Sequence, residues 1–185
     1  MNQHLTPDPQ RFLASRRGLL QRGLIGALLA TAGSRVFADD ALRVGEPAPA
    51  LVLHTLDGRS IATRDLLGKV VIVTFWATWC DPCREELALL SSFHARHRQR
   101  GLEVLGFSLD APDALPAVRK VAAKLGFPVG LLGSAYAGAY GRIWRIPVSF
   151  TIDRQGMLAD NGWNDEHPAW TLERLQRVVA PLLAA

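Results

Sequence analysis

Cysteine is almost absent from this chain: there are two among 185 residues, Cys80 and Cys83. So few exclude a small domain stapled by several disulfides. Long apolar runs are missing too. The uncharged stretch Gly23–Ser34 is too short to span a bilayer comfortably, which takes about 20 residues. Beyond residue 38 there is no charge imbalance. Five of the 21 basic residues and one of the 17 acidic ones lie in 1–38, which leaves sixteen of each in 39–185. A formally neutral body has no electrostatic footprint for nucleic acid, so none is expected as a partner. Internal repeats and low-complexity tracts are also lacking.

The first 38 residues have an anatomy of their own. A basic start (Arg11, Arg16, Arg17, Arg22) leads into the apolar run and then into Val36-Phe37-Ala38, a small-x-Ala cleavage pattern. These are the three parts of an export signal. The pair Arg16-Arg17 within S-R-R-G-L-L resembles a twin-arginine signal, and Arg35 just before the cut suits that route. An uncleaved membrane anchor is the alternative. A core helix fits less well, because Gly18, Gly23 and Gly26 weaken a helix in water. The expected organisation is therefore an export signal or anchor at 1–38 and one domain at 39–185. The expected location is the periplasm, with membrane contact only through the first segment if it is retained. Thiols exported there tend to be oxidised unless something keeps them reduced.

Within the domain, a Pro-rich arm, ALRVGEPAP, precedes a hairpin predicted over Leu51–His54 and Ser60–Ala62, and Arg64–Gly68 reads as a helical turn or tight loop. The β-branched run Val70–Phe75 has the composition of a strand buried on both faces. A helix is predicted from Cys83 to about Arg100, with Pro82 in its first turn and Leu87, Leu90 and Phe93 at helical spacing. Strand Val104–Leu109, helix Asp113–Leu125, an ambiguous segment Phe127–Leu132 and a short helix Ala135–Gly141 follow. Strand Val148–Asp153 then turns through DRQG and pairs back over Met157–Gly162, and a helix over Trp170–Leu183 closes the chain. Strands alternating with helices and ending in a hairpin predict an α/β fold around a mixed sheet.

Cys80 and Cys83 stand in WATWCDPCREE, where a buried strand hands over to a helix start. Two cysteines at this spacing can be half a metal site, a small staple or a redox pair. The first-turn N–H groups and the positive end of a helix favour an anion, and C-x-x-C pairs there have thiol pKa values lowered to roughly 3.5–7.5. Cys80 is thus the candidate nucleophile. Cys83, one turn on, is the candidate resolving thiol. Zinc held with His94 and His97 fails on distance: eleven residues of helix separate Cys83 from His94, about 16 Å, whereas zinc ligands sit about 2.0–2.3 Å from one metal. The histidines read instead as a solvated helix face. A staple this short closes too small a loop to stabilise much.

WATWCDPCREE after VVIVTF resembles the active site of thioredoxin-fold proteins, and most of all the exported TlpA-like thiol-disulfide oxidoreductases of the ResA and CcmG types. The likeness extends over Gly45–Leu183, including GEPAP, DGR, IDRQG and YGRIWRIPVSFTID. It implies a thioredoxin-like fold: a central mixed β-sheet flanked by helices, with an N-terminal β-hairpin extension and an insertion after the CxxC helix and the strand that follows it. It implies a cis proline facing the cysteines, here Pro147, which leaves the backbone at Ile146 open to an incoming extended chain. Glu86 matches an acidic residue of the ResA type and is assigned a role with the proton of the resolving thiol. Trp76, Trp79, Asp81, Pro82, Arg145, Ile146 and Pro147 are expected to line the partner groove. Glu85 is expected to be solvated. Arg145 stands where the family commonly has glycine, and Val148 and Ser149 where two threonines are common. The acidic residue that CcmG-type proteins carry after the proline is missing. These departures touch the groove, and with it any dedication to cytochrome c maturation, rather than the redox chemistry.

The expected substrates are protein thiols and disulfides, with a membrane partner as reductant and with no cofactor or metal. Asp81 between the cysteines opposes a thiolate, which favours a reductant over an oxidant. Two rival readings remain. One is a copper-handling module holding Cu(I) through Cys80 and Cys83 with His167 as a distant third ligand, although such carriers usually space their cysteines by three residues. The other is a peroxidase, whose P-x-x-x-T-x-x-C loop has a proline that ATWC lacks.

Overall fold

The computed structural model describes residues 42–184; the proposed signal or anchor lies outside them. Among the described residues, seven strands and three α-helices follow one another: β1 (Val52–His54), β2 (Ser60–Ala62), β3 (Val70–Trp76), α1 (Asp81–His97), β4 (Leu102–Ser108), α2 (Leu115–Ala122), β5 (Val129–Leu131), β6 (Val148–Ile152), β7 (Leu158–Asn161) and α3 (Leu172–Ala184). β1 and β2 form an antiparallel hairpin, and the other five make one sheet in the order β5-β4-β3-β6-β7. β3 runs parallel to β4 and antiparallel to β6, so the sheet is mixed. This is the expected thioredoxin-like arrangement.

The position of β3 follows from its composition. All seven of its residues are buried, and only a central strand covered on both faces has no polar side to give to water. Alternation along it divides the core in two. Val70, Ile72 and Trp76 face a cluster completed by Leu87, Leu90 and Phe93 of α1, Val118 of α2 and Leu175, Val179 and Leu183 of α3. Val71, Val73 and Phe75 face the other cluster, closed by Leu53 of the hairpin and by Ala137, Tyr140 and Ile143. Each large side chain buried this way contributes about 1.5–3 kcal/mol.

Three predicted segments differ. The helix expected over Ala135–Gly141 is a Tyr136↔Arg142 bridge around a single 3-10 turn. Gly138 and Gly141 take φ of 57° and 78°, which folds the chain back on itself instead of letting a helix propagate. α2 is shorter than expected: a 3-10 turn occupies Pro112–Ala114, and Pro116, which has no N–H, sits in the helix's first turn. β4 starts earlier than expected, because Leu102 pairs with Val70.

The hairpin is fastened to the edge of the main sheet. Leu56 N–H donates to the Val129 carbonyl at 2.9 Å, and the His54 carbonyl lies against Gly130 so closely that a Cβ there would be 2.0 Å from its oxygen. Both groups are backbone and cannot yield. Gly130→Ala is therefore expected to destabilise the protein by about 1–3 kcal/mol or more, read as a lower urea midpoint; an unchanged midpoint would mean that the hairpin is not packed in this way.

Candidate active site

β3 ends at Trp76, and the chain crosses Ala77–Trp79 to reach the start of α1. The crossing is fixed by Asp110, which is buried just beyond the end of β4. Its carboxylate accepts the Thr78 N–H at 2.8 Å and the hydroxyls of Thr78 and Ser108 at 2.6 and 2.7 Å. Three donors offset the desolvation of a buried carboxylate. Cys80 then caps α1: its sulfur accepts the Cys83 N–H at 3.3 Å, with Pro82 in the first turn. Cys80 and Cys83 are joined as a disulfide. The two residues differ slightly in burial: Cys80 is 6% exposed and Cys83 0%.

Glu86 lies one turn after Cys83 and is 3% exposed. Trp170 N–H donates to its Oε2 at 2.9 Å, and the hydroxyls of Thr74 and Ser149 donate to Oε1 at 3.2 and 3.5 Å. Burial pushes its pKa up to about 7, against the pull of the Trp170 amide, the Thr74 hydroxyl, the Arg174 charge and the Ser149 hydroxyl. A carboxylate poised there can take or give a proton near neutrality.

The Ile146–Pro147 peptide is cis, and Ile146 packs against the cluster that contains Cys80 and Cys83. Trp79, 68% exposed, stands beside the pair, as do Asp81 and Pro82, both exposed. Asp81 is ion-paired with Arg84, and its side chain is 81% exposed, so water and the guanidinium screen its charge. Glu85 is exposed, as expected.

Two groove expectations are corrected. Trp76 is wholly buried under the site and is a core residue, as its place on a strand covered on both faces requires. Arg145 turns inward and donates through Nη2 to the carbonyls of Gly162, Trp163 and Asp165 at 2.8, 3.2 and 2.7 Å. It clamps the loop before Pro147 to the chain after β7, because a guanidinium nitrogen can donate to several carbonyls at once. A third correction concerns the helix histidines. His94 is 6% exposed, edge-on to Phe127 and 3.9 Å from Glu103, and His97 lies tilted against Phe93 with ring centroids 4.2 Å apart. Burial holds both below the usual histidine pKa. Among the described residues, no three His, Cys, Asp or Glu side chains are grouped as a metal ion would need.

Sequence reasoning missed Thr78, Asp110, Trp170 and Arg174. An aspartate closing a buried strand in SLDAP was a signal for the second. The spacing of Trp170 and Arg174 shows only that they can share a helix face, not that the group meets Glu86.

The model of the AhpC/TSA family matches residues 44–161. The chain belongs to that family. Thiol-disulfide oxidoreductase ResA of Bacillus anthracis is 34% identical over 141 residues, spanning 74% of this chain and 80% of the relative. The ResA protein of Geobacillus thermodenitrificans is 31% identical over 151 residues, 77% and 85% of the two chains. Among solved structures, a putative thiol:disulfide interchange protein DsbE from Chlorobium tepidum superposes with a TM-score of 0.66 at 28% identity, covering 77% of this chain and 99% of that one. The likeness to the ResA and DsbE proteins and the bonded pair at the helix start agree on the activity, which is thiol-disulfide oxidoreduction.

Glu86 gives stability a pH dependence of definite sign. Its pKa rises from 4.5 in the unfolded chain to about 7 in the fold, so the native state binds the extra proton between those values. The contribution of Glu86 to stability is then full below about 4.5 and is lost as pH rises to about 7, by an amount of order 3 kcal/mol. Urea midpoints of the oxidised protein measured from pH 4 to 8 should show this fall, and Glu86→Gln should flatten it. Parallel profiles for the two proteins would contradict the assignment.

Proposed function

We propose that this chain is an exported reductant of protein disulfides, with Cys80 as nucleophile and Cys83 as resolving thiol. The observation that carries the reading is the bonded pair at the start of α1, in which the Cys80 residue keeps a small exposed surface, 6%, and Cys83 has none. The Cys80 thiolate attacks a partner disulfide. One S–S bond forms to Cys80, and the partner's other sulfur leaves as a thiolate and takes a proton from water. Cys83 then gives its proton to the Glu86 carboxylate and attacks the Cys80 sulfur. The Cys80–Cys83 bond forms, the mixed bond breaks, and the partner's second sulfur leaves as a thiolate that takes a proton from water or from Glu86, so the partner departs with two electrons and both thiols. A membrane partner returns the electrons.

Ile146, beside cis-Pro147, together with Trp79, Asp81 and Pro82, forms the face that receives the partner's extended chain. Screening by Arg84 removes much of Asp81's effect on Cys80, so the direction rests more on Cys83. A thiol with no access to water and a carboxylate one turn away resists ionisation. That disfavours the reduced form and makes the protein a better electron donor. Export rests on the Arg16-Arg17 segment and on the Val36-Phe37-Ala38 cleavage pattern. Among the described residues no helix is long and apolar enough to cross a membrane, so membrane attachment would come through 1–38. The ResA relatives favour a thiol–disulfide partner over copper.

Cys83→Ser is expected to accumulate a mixed disulfide on Cys80 in the native cell, separable on non-reducing gels, whereas Cys80→Ser traps nothing. The reduction potential in glutathione buffers should lie well below the about −120 mV of DsbA. No captured partner, or a potential as oxidising as that, would count against a reductant.

A further inference from the structure

Arg174 is a buried cation, 4% exposed, on the first turn of α3. Its Nη2 meets Asp160 of β7 at 2.7 Å, and its Nε meets Asp165 at 3.2 Å. Its Nη1 donates to the Pro168 carbonyl at 2.7 Å, and its guanidinium lies 4.1 Å from the centroid of the Trp170 ring. Three of these four contacts fall on one short segment, 165–170, whose last residue supplies the N–H on Glu86. Burying a guanidinium among two carboxylates to secure a loop is expensive. Anchoring α3 does not call for a charge there, since Leu175, Val179 and Leu183 already hold that helix in the core.

We propose that Arg174 is a positioning residue for the proton transfer at Cys83: it holds the Trp170 N–H against the Glu86 carboxylate and so sets how tightly Glu86 keeps its proton. The inference rests on the reading of Glu86 as the proton acceptor of the resolving thiol. The groups that face Glu86 are Thr74 from β3, Ser149 from β6, Trp170 from the segment before α3 and Arg174 from α3, and Cys83 precedes it by one turn on its own helix. Asp160 and Asp165 stand behind Arg174 and partly neutralise it. Removing Arg174 takes away a positive charge and loosens a hydrogen bond to the anion, and both changes favour the protonated acid. Removing the Asp160 charge does the reverse, because it leaves Arg174 less neutralised.

The test is a carbon-13 carboxyl NMR titration of Glu86 in the oxidised full chain, with the signal identified by its loss in Glu86→Gln. The pH dependence of the resolving step is measured beside it, on a mixed disulfide made with a model thiol. Arg174→Met should raise the Glu86 midpoint by about one pH unit, Arg174→Lys by less, and Asp160→Asn should lower it. The pH profile of resolution should move with the midpoint. A purely structural Arg174 would lower the melting temperature and leave the midpoint in place, which overturns the proposal. If Arg174→Met does not fold, Asp160→Asn decides: a downward shift supports the proposal and an unmoved midpoint overturns it. If Glu86→Gln leaves the pH profile of resolution unchanged, the reading of Glu86 itself falls, whereas a changed profile with unmoved midpoints in the Arg174 and Asp160 variants defeats only the role of Arg174.

Discussion

A carboxylate out of reach of water has to be surrounded by donors, and the donors of Glu86 come from three separate parts of the chain. Thr74 lies on the central strand, Ser149 on the antiparallel strand beside it, and Trp170 at the entry to the last helix. They meet because β6 returns next to β3 and α3 packs on the same face as α1. The carboxylate is held neutral over part of the physiological range by burial, and three hydrogen bonds and a nearby guanidinium keep the charged form within reach. β3, β6 and the approach to α3 thus build this part of the core and also tune one buried acid on α1.

The redox pair depends on the same construction. β3 is buried on both faces and cannot move without breaking both halves of the core, so it delivers the chain to α1 at a fixed place. Asp110 holds the crossing through Thr78, and the cap at Cys80 takes one of the helix's free N–H groups, that of Cys83, on its sulfur. Exposure then separates the two residues: Cys80, at the cap, keeps 6% of its surface open, and Cys83, a turn later, keeps none. Arg145, turned inward, fastens the Pro147 loop instead of greeting a partner.

Much of this was legible in the sequence, and what was legible was local. The run VVIVTF, the Pro82 start and the apolar spacing of Leu87, Leu90 and Phe93 each state their structure within a few residues. The three-residue step from Cys83 to Glu86 places both on one helix face. Contacts across long separations were not legible, because they depend on sheet order and on which helix covers which face. Thr78 and Asp110 are 32 residues apart, and Glu86 and Trp170 are 84. The burial of His94 escaped notice because Glu103 and Phe127, which surround it, come from other elements. The Ala135–Gly141 segment misled for a different reason: its alanines favour a helix while its glycines permit the turn that forms.

On the proposed reading, Cys80 and Cys83 divide the labour of exchange. Alkylation of the reduced protein by iodoacetamide across a pH series, with each cysteine followed by mass spectrometry, tests it most directly. The account predicts that Cys80 reacts first, with a midpoint below the about 8.5 of a free thiol, and that Cys83 stays unmodified until the protein unfolds. Equal reactivity at the two positions, or earlier reaction at Cys83, would contradict it.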